Sequence, residues 1–111
     1  MEGVVRLERV QLEDHPPYAD PQLRGRLGEI FSSGDGRFKA VYWLAEGPGR
    51  LLEQPKADEL ICVLEGEILV EQNGERASAG PGDVILWCTE NPPVITVPNQ
   101  LLAFCVVYDP T

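Results

Sequence analysis

The chain has 111 residues, 43% of them hydrophobic and 24% charged, which fits one folded domain and excludes both a two-domain protein and a globally disordered one. Nine Lys plus Arg stand against eighteen Asp plus Glu, a formal net charge of −9. That charge repels phosphate backbones and anionic head groups, so nucleic acid and membrane surfaces are excluded as partners.

The opening stretch, Met1 to Glu8, has neither a basic start nor a long apolar core, and no later apolar run approaches the span of a bilayer. A soluble cytoplasmic protein is expected. Residues 1–25, which carry Glu13, Asp14, His15, Pro16, Pro17 and Pro21, read as an arm. It begins with a short strand, continues extended and packs along the edge of a barrel formed by residues 26–111. His15, the sole histidine, is expected to be a solvated residue of this arm.

From there turn signals recur along the chain, at Ser32 to Gly36, Glu46 to Gly49, Asn73-Gly74, Gly80 to Asp83, Glu90 to Pro93 and Pro98-Asn99. Between them lie β-rich runs: Phe38 to Ala45, Leu60 to Leu64, Glu67 to Gln72, Val84 to Cys88, Val94 to Val97 and Leu101 to Tyr108. Many short strands punctuated in this way describe an all-β sandwich or barrel. Asn73-Gly74 is the clearest hairpin, because both residues tolerate the positive φ of a type I′ turn. No segment shows sustained helical periodicity. Leu60, Cys62 and Leu64 alternate with Ile61 and Val63, so this strand is apolar on both faces. One small barrel buries only one of them, and a homodimer is expected to cover the other.

Cys62, Cys88 and Cys105 form an odd set without paired short spacings. They are expected to be reduced and buried, with Cys88 open to a second role as a pocket thiol. Gly47-Pro48-Gly49 and Gly80-Pro81-Gly82 read as turns and not phosphate loops, since neither is followed by lysine-serine or lysine-threonine. Tyr42, Trp43, Trp87 and Tyr108 are expected in core or dimer packing, with Trp87 open to a second role as a pocket wall, and Asp58 in a loop.

From Gly47 to Asp83 the spacing resembles the cupin superfamily. Gly47, Glu59 and Gly66 occupy the glycine, glutamate and glycine positions of the first cupin motif, and Gly80-Pro81-Gly82-Asp83-Val84 resembles the opening of the second. The histidine positions of the two motifs fall on Glu53, Pro55 and Pro93, so of the family's four usual ligands only Glu59 remains. Asp58-Glu59, Val63 to Glu67, Ala79 to Val84 and Cys105 to Pro110 are most similar to the ethanolamine-utilisation Q type, a group that also lacks the histidines and is associated with acetate-kinase activity. The resemblance implies a single antiparallel cupin β-barrel of the jelly-roll type, with Glu59 pointing into its mouth and Trp87 beside it.

With a lone histidine in the arm, the chain has no imidazole set for a transition metal, and neither a metal nor another cofactor is expected. The leading expectation is a metal-independent barrel that binds a small polar metabolite through Glu59 and Glu53, with Trp87 and Cys88 lining the site. A carboxylate desolvated there has its pKa raised and suits acid–base chemistry, and a Glu53–Glu59 pair would supply both acid and base. Whether the protein is an enzyme stays open. So do the plainer readings, in which Glu59 caps its strand or pairs with Arg50 and Glu53 is solvated. Two other functions are carried forward: a structural or interaction module whose barrel is packed shut and which acts through its dimer surface, and an acetate-kinase-like enzyme.

Overall fold

The computed structural model describes residues 3–15, 24–50 and 57–109. Glu53 and Pro55 therefore lie outside the described residues, as do the prolines of the arm. Ten strands run in chain order: β1 (Glu13–His15), β2 (Arg24–Ser32), β3 (Phe38–Glu46), β4 (Gly49–Arg50), β5 (Asp58–Gly66), β6 (Ile68–Gln72), β7 (Glu75–Ala79), β8 (Val84–Trp87), β9 (Val94–Val97) and β10 (Gln100–Tyr108). The one helical element among the described residues is a single 3-10 turn, Leu7–Arg9, and no helix is long and apolar enough to cross a membrane.

The strands form two antiparallel sheets, ordered β1-β2-β3-β10-β5-β8 and β4-β9-β6-β7. Neighbours in space are mostly distant in sequence, which is the jelly-roll arrangement. The hydrogen-bonded ladders do not run continuously around the barrel; the sheets face each other and enclose one core. The central strands contribute alternate residues to it: Trp43 and Ala45 from β3, Ile61 and Val63 from β5, Ile95 and Val97 from β9, and Leu101, Ala103 and Cys105 from β10. Ile61, Ile68, Ile95, Leu101, Val63, Val97 and Cys105 are all but sealed from solvent, so side chains fill the middle of the barrel.

The turn chemistry read from the sequence is in place. Asn73 and Gly74 both have positive φ, 54° and 78°, and close the β6–β7 hairpin. Gly80 to Asp83 makes a type II turn: the Asp83 N–H donates to Gly80 O at 2.9 Å, Pro81 precedes the bend, and Gly82 takes φ 90°. At the end of β5, Gly66 has φ 87°, and a Cβ there would collide with the Gln100 carbonyl, so only glycine lets β5 turn this tightly against β10.

Three features differ from expectation. β2 had no counterpart in the sequence reading, yet it pairs along β3 from Arg24↔Glu46 to Ser32↔Lys39. β5 starts at Asp58, placing that residue in a strand and not a loop. β1 is preceded by the 3-10 turn, and residues 10–12 lie over Gly28 of β2, where a Cβ would meet Val10, Gln11 and Leu12. The arm therefore covers part of the outer face of the larger sheet as well as extending its edge.

The β5–β10 pairing carries one irregularity. Leu102 pairs with Glu65 but Ala103 pairs with Val63, which leaves Leu64 as an extra residue in a bulge. Beyond it Cys105 pairs with Ile61 and Val107 with Glu59.

Candidate functional site

Glu59 is the second residue of β5. Its parity with the core residues Ile61 and Val63 points it to the inner face. Its direct neighbours are Val107 of β10 and Trp87 of β8. Residues directly opposite one another in an antiparallel pair have Cβ atoms about 4.5–5.5 Å apart, so the carboxylate and the indole stand side by side at one end of the core. Asp58, one residue earlier, fixes that end from outside. Its Oδ1 accepts the Thr89 N–H at 3.1 Å, tying the segment after Trp87 back to the start of β5.

Two polar groups here are poorly satisfied. Trp87 is 2% exposed, and its Nε1 is a buried donor with no hydrogen-bond partner. Glu59 is half-buried, and desolvation of its carboxyl pushes the pKa above the ordinary glutamate value; weak donation from the Cys105 thiol offsets part of the rise. Cys105 is pushed well up in turn, first by its own burial and then by the neighbouring Glu59 charge, so it is a thiol and not a thiolate. No ion pair to Glu59 occurs among the described residues; Arg76 pairs with Glu71 at 3.7 Å, on the surface. Arg50, weighed as a partner for Glu59, sits on β4 opposite Thr96 in the other sheet.

The structure thus brings Glu59 and Trp87 together and adds Cys105, which had been read as a core residue. Which side of β10 faces Glu59 depends on the bulge at Leu64, and no local signal in the sequence marks it. Cys88, one residue beyond β8, is exposed, whereas Cys62 is half-buried and Cys105 buried; all three are free thiols. Uniform burial of the cysteines is therefore corrected for Cys88, whose run ends at the strand terminus.

Among the described residues, the donors at this end do not fit a cupin transition-metal centre. Glu59 is flanked by an indole, which is not a metal ligand, and by a thiol whose burial opposes the deprotonation that coordination requires. No chemistry is routed through a metal here. The Gly80–Gly82 turn offers no phosphate cradle either: the Gly80 N–H donates to Asp83 Oδ2 at 2.8 Å and the Gly82 N–H to Val63 O at 2.9 Å. A hollow of about 420 Å³ lies elsewhere, on the outer side of the smaller sheet between Leu69, Glu71, Arg76, Ser78 and Thr96. Its ion pair is exposed, a kind of contact worth about 0–1 kcal/mol, and it has no counterpart to the buried, unpartnered Trp87 Nε1 beside Glu59.

No protein-family model matches the sequence, and no curated protein matches it. Solved structures do. The EutQ protein of Clostridium difficile superposes with a TM-score of 0.78 at 16% identity, covering 96% of this chain and 86% of that one. A cupin 2 conserved barrel domain protein from Salinispora arenicola gives 0.68 at 16% identity, over 99% and 91%. A Thermotoga maritima protein described as a predicted oxalate decarboxylase gives 0.74 at 15% identity, over 95% and 97%. The chain has the cupin fold, with EutQ and cupin 2 barrel proteins among its structural neighbours.

Proposed function

We propose that this cupin-fold chain binds a small polar metabolite at the Glu59–Trp87 end of its barrel without a transition metal. The observation that carries this is the pairing of Glu59 with Trp87: a half-buried, partly desolvated carboxylate with no ion pair among the described residues, beside a buried indole N–H without an acceptor. Buried polar groups in folded proteins nearly always have partners, so the unpartnered Trp87 N–H, set beside a partly desolvated carboxylate, supports a partner that comes from outside the chain. The raised pKa of Glu59 also suits proton transfer to or from such a ligand.

The test has two stages. A thermal-shift screen of acidic, amino and sugar metabolites identifies a ligand, which is then titrated against the parent protein and Glu59→Gln. A charge-assisted hydrogen bond contributes about 1.5–3 kcal/mol, so the variant should bind roughly tenfold more weakly or worse. Equal affinity would sink the site.

A second reading is favoured by the outer face of the larger sheet. The arm lies over Gly28 of β2 on this face. The β5–β8 half exposes Leu60 at 36%, Val84 at 51% and Leu86 at 67%, continuous with Cys62, Phe104 and Val106. In a chain of net charge −9 this face carries no charge on β5, β8 or β10 from Leu60 to Cys62, Val84 to Leu86 and Leu102 to Val106. A second copy of the same uncharged face is the partner it suits, since each half of a stable dimer contributes about 800 Å². Here the protein acts as a dimeric interaction module with a filled barrel. The acetate-kinase-like reading draws support only from the fold of the EutQ neighbour, and the glycine turn that might have held phosphate uses its N–H groups internally.

A further inference from the structure

We propose that the end of the barrel formed by Glu59, Trp87 and Cys105 takes a small organic cation, a primary or quaternary ammonium with an oxygen acceptor a few bonds away. This rests on reading that end as a ligand site, and it adds the charge and polarity of the ligand.

The argument follows from what each group lacks. Among the described residues the Glu59 carboxylate receives the weak Cys105 thiol donor and no cationic partner. The one cationic side chain in its row is Lys39, on β3 at the far side of Val107, and Lys39 makes no ion pair with it. β8 brings no charge, because its inward residues are Ile85 and Trp87. A ligand ammonium would supply the missing counter-charge, and the overall field of a chain carrying −9 draws cations toward it.

Trp87 Nε1 needs the opposite kind of partner. An indole N–H is a donor only, so an ammonium cannot satisfy it, and the ligand must carry an oxygen lone pair as well. The Trp87 ring favours a cation near its face. A carboxylate ligand would suit the indole but meet the Glu59 charge directly. A neutral diol would suit the indole and donate to Glu59, yet leave the desolvated charge uncompensated. Only a ligand with a cationic head and a nearby hydroxyl, ether or carbonyl oxygen meets both demands.

An isosteric series tests this by calorimetry on the intact protein: 3-aminopropanol, 1,3-propanediol and 3-hydroxypropionate, with choline as the quaternary case. Expected is at least tenfold tighter binding of 3-aminopropanol or choline than of the diol, and no binding of the acid. Glu59→Gln should cost the cation roughly tenfold or more, and Trp87→Phe, which removes the N–H donor together with the pyrrole half of the indole, about threefold to tenfold. Should Trp87→Phe fold poorly, the Trp87 Nε1–H resonance of the parent protein serves instead, and it should shift on adding 3-aminopropanol. A preference for the diol or the acid that still depends on Glu59 overturns the cation and leaves the site standing. Cation binding indifferent to Glu59→Gln overturns both. Failure of every probe to bind overturns the cation.

Discussion

The two faces of β5 and β8 invert the usual order of a folded protein. On the inner face Glu59 and Trp87 stand opposite each other, a desolvated carboxylate and a sealed indole. One residue further along β5, Leu60 pairs with Leu86 on the outer face, and both are exposed. Charge has gone inward and hydrocarbon outward at neighbouring positions of the same strands. Neither placement is favoured by transfer from water, where apolar surface is worth about 25 cal/mol per Å² buried and a desolvated charge is costly. Both faces are therefore read as places completed by something outside the chain, a ligand on the inner side and a second copy on the outer.

The largest effect that separates the faces is the cost of truncation. Ile61 is 1% exposed and fully within the core, so Ile61→Ala should lose about 2–5 kcal/mol in denaturant unfolding. Leu60→Ala, next to it in sequence, should lose less than about 1 kcal/mol in the monomer. Similar losses at both positions would mean that the outer face is not open in the monomer.

Next in size is the oligomeric state. Light scattering should report about twice 12.3 kDa for the parent chain, and Leu86→Asp should return it to the monomer with its fold intact, because the new charge has no partner in an apolar interface. A monomeric parent at micromolar concentration removes the outer-face reading and leaves Glu59 untouched.

The smallest effect concerns Glu59 itself. Its carboxyl keeps the ordinary value in the unfolded chain and a raised one in the folded chain, so between the two the folded state holds the extra proton. Stability attributable to this group falls as pH rises through that window. Glu59→Gln should flatten the slope and raise Tm at neutral pH. Unaltered pH dependence in the variant would falsify the desolvated assignment of Glu59.

Much of the architecture was legible from local chemistry. Asn73-Gly74, Gly66 and Gly80 to Asp83 announce their turns because a positive φ or a fixed proline leaves few other residues suitable. β2 was not legible. Arg24, Gly25, Arg26, Gly28 and Glu29 make a polar, glycine-rich stretch with no apolar alternation, and it becomes a strand through pairing with β3 and the close approach of Val10 to Leu12 over Gly28. At the site, Glu59 and Trp87 stood out because their spacing to Gly66 and Gly82 is a matter of sequence alone. Cys105 did not, because which strand it faces is a matter of pairing between segments forty residues apart. Asp58 was taken for a loop residue because its role, accepting the Thr89 N–H, is visible only once β5 and the end of β8 lie side by side.

The extra residue at Leu64 works like a shift of reading frame between β5 and β10. Upstream of it, Glu59, Ile61 and Val63 share a side with Ala103, Cys105 and Val107; in an unbulged ladder Cys105 would lie opposite Cys62, with its thiol on the exterior. The core would then present one set of residues from β5 against the wrong set from β10, and Glu59 would have no thiol beside it. Insertions and deletions elsewhere in loops only change their length, whereas the loss of one residue here exchanges the contents of the two faces. The tolerance of this chain to length variation is therefore lowest inside β5, at the bulge that sets its register against β10.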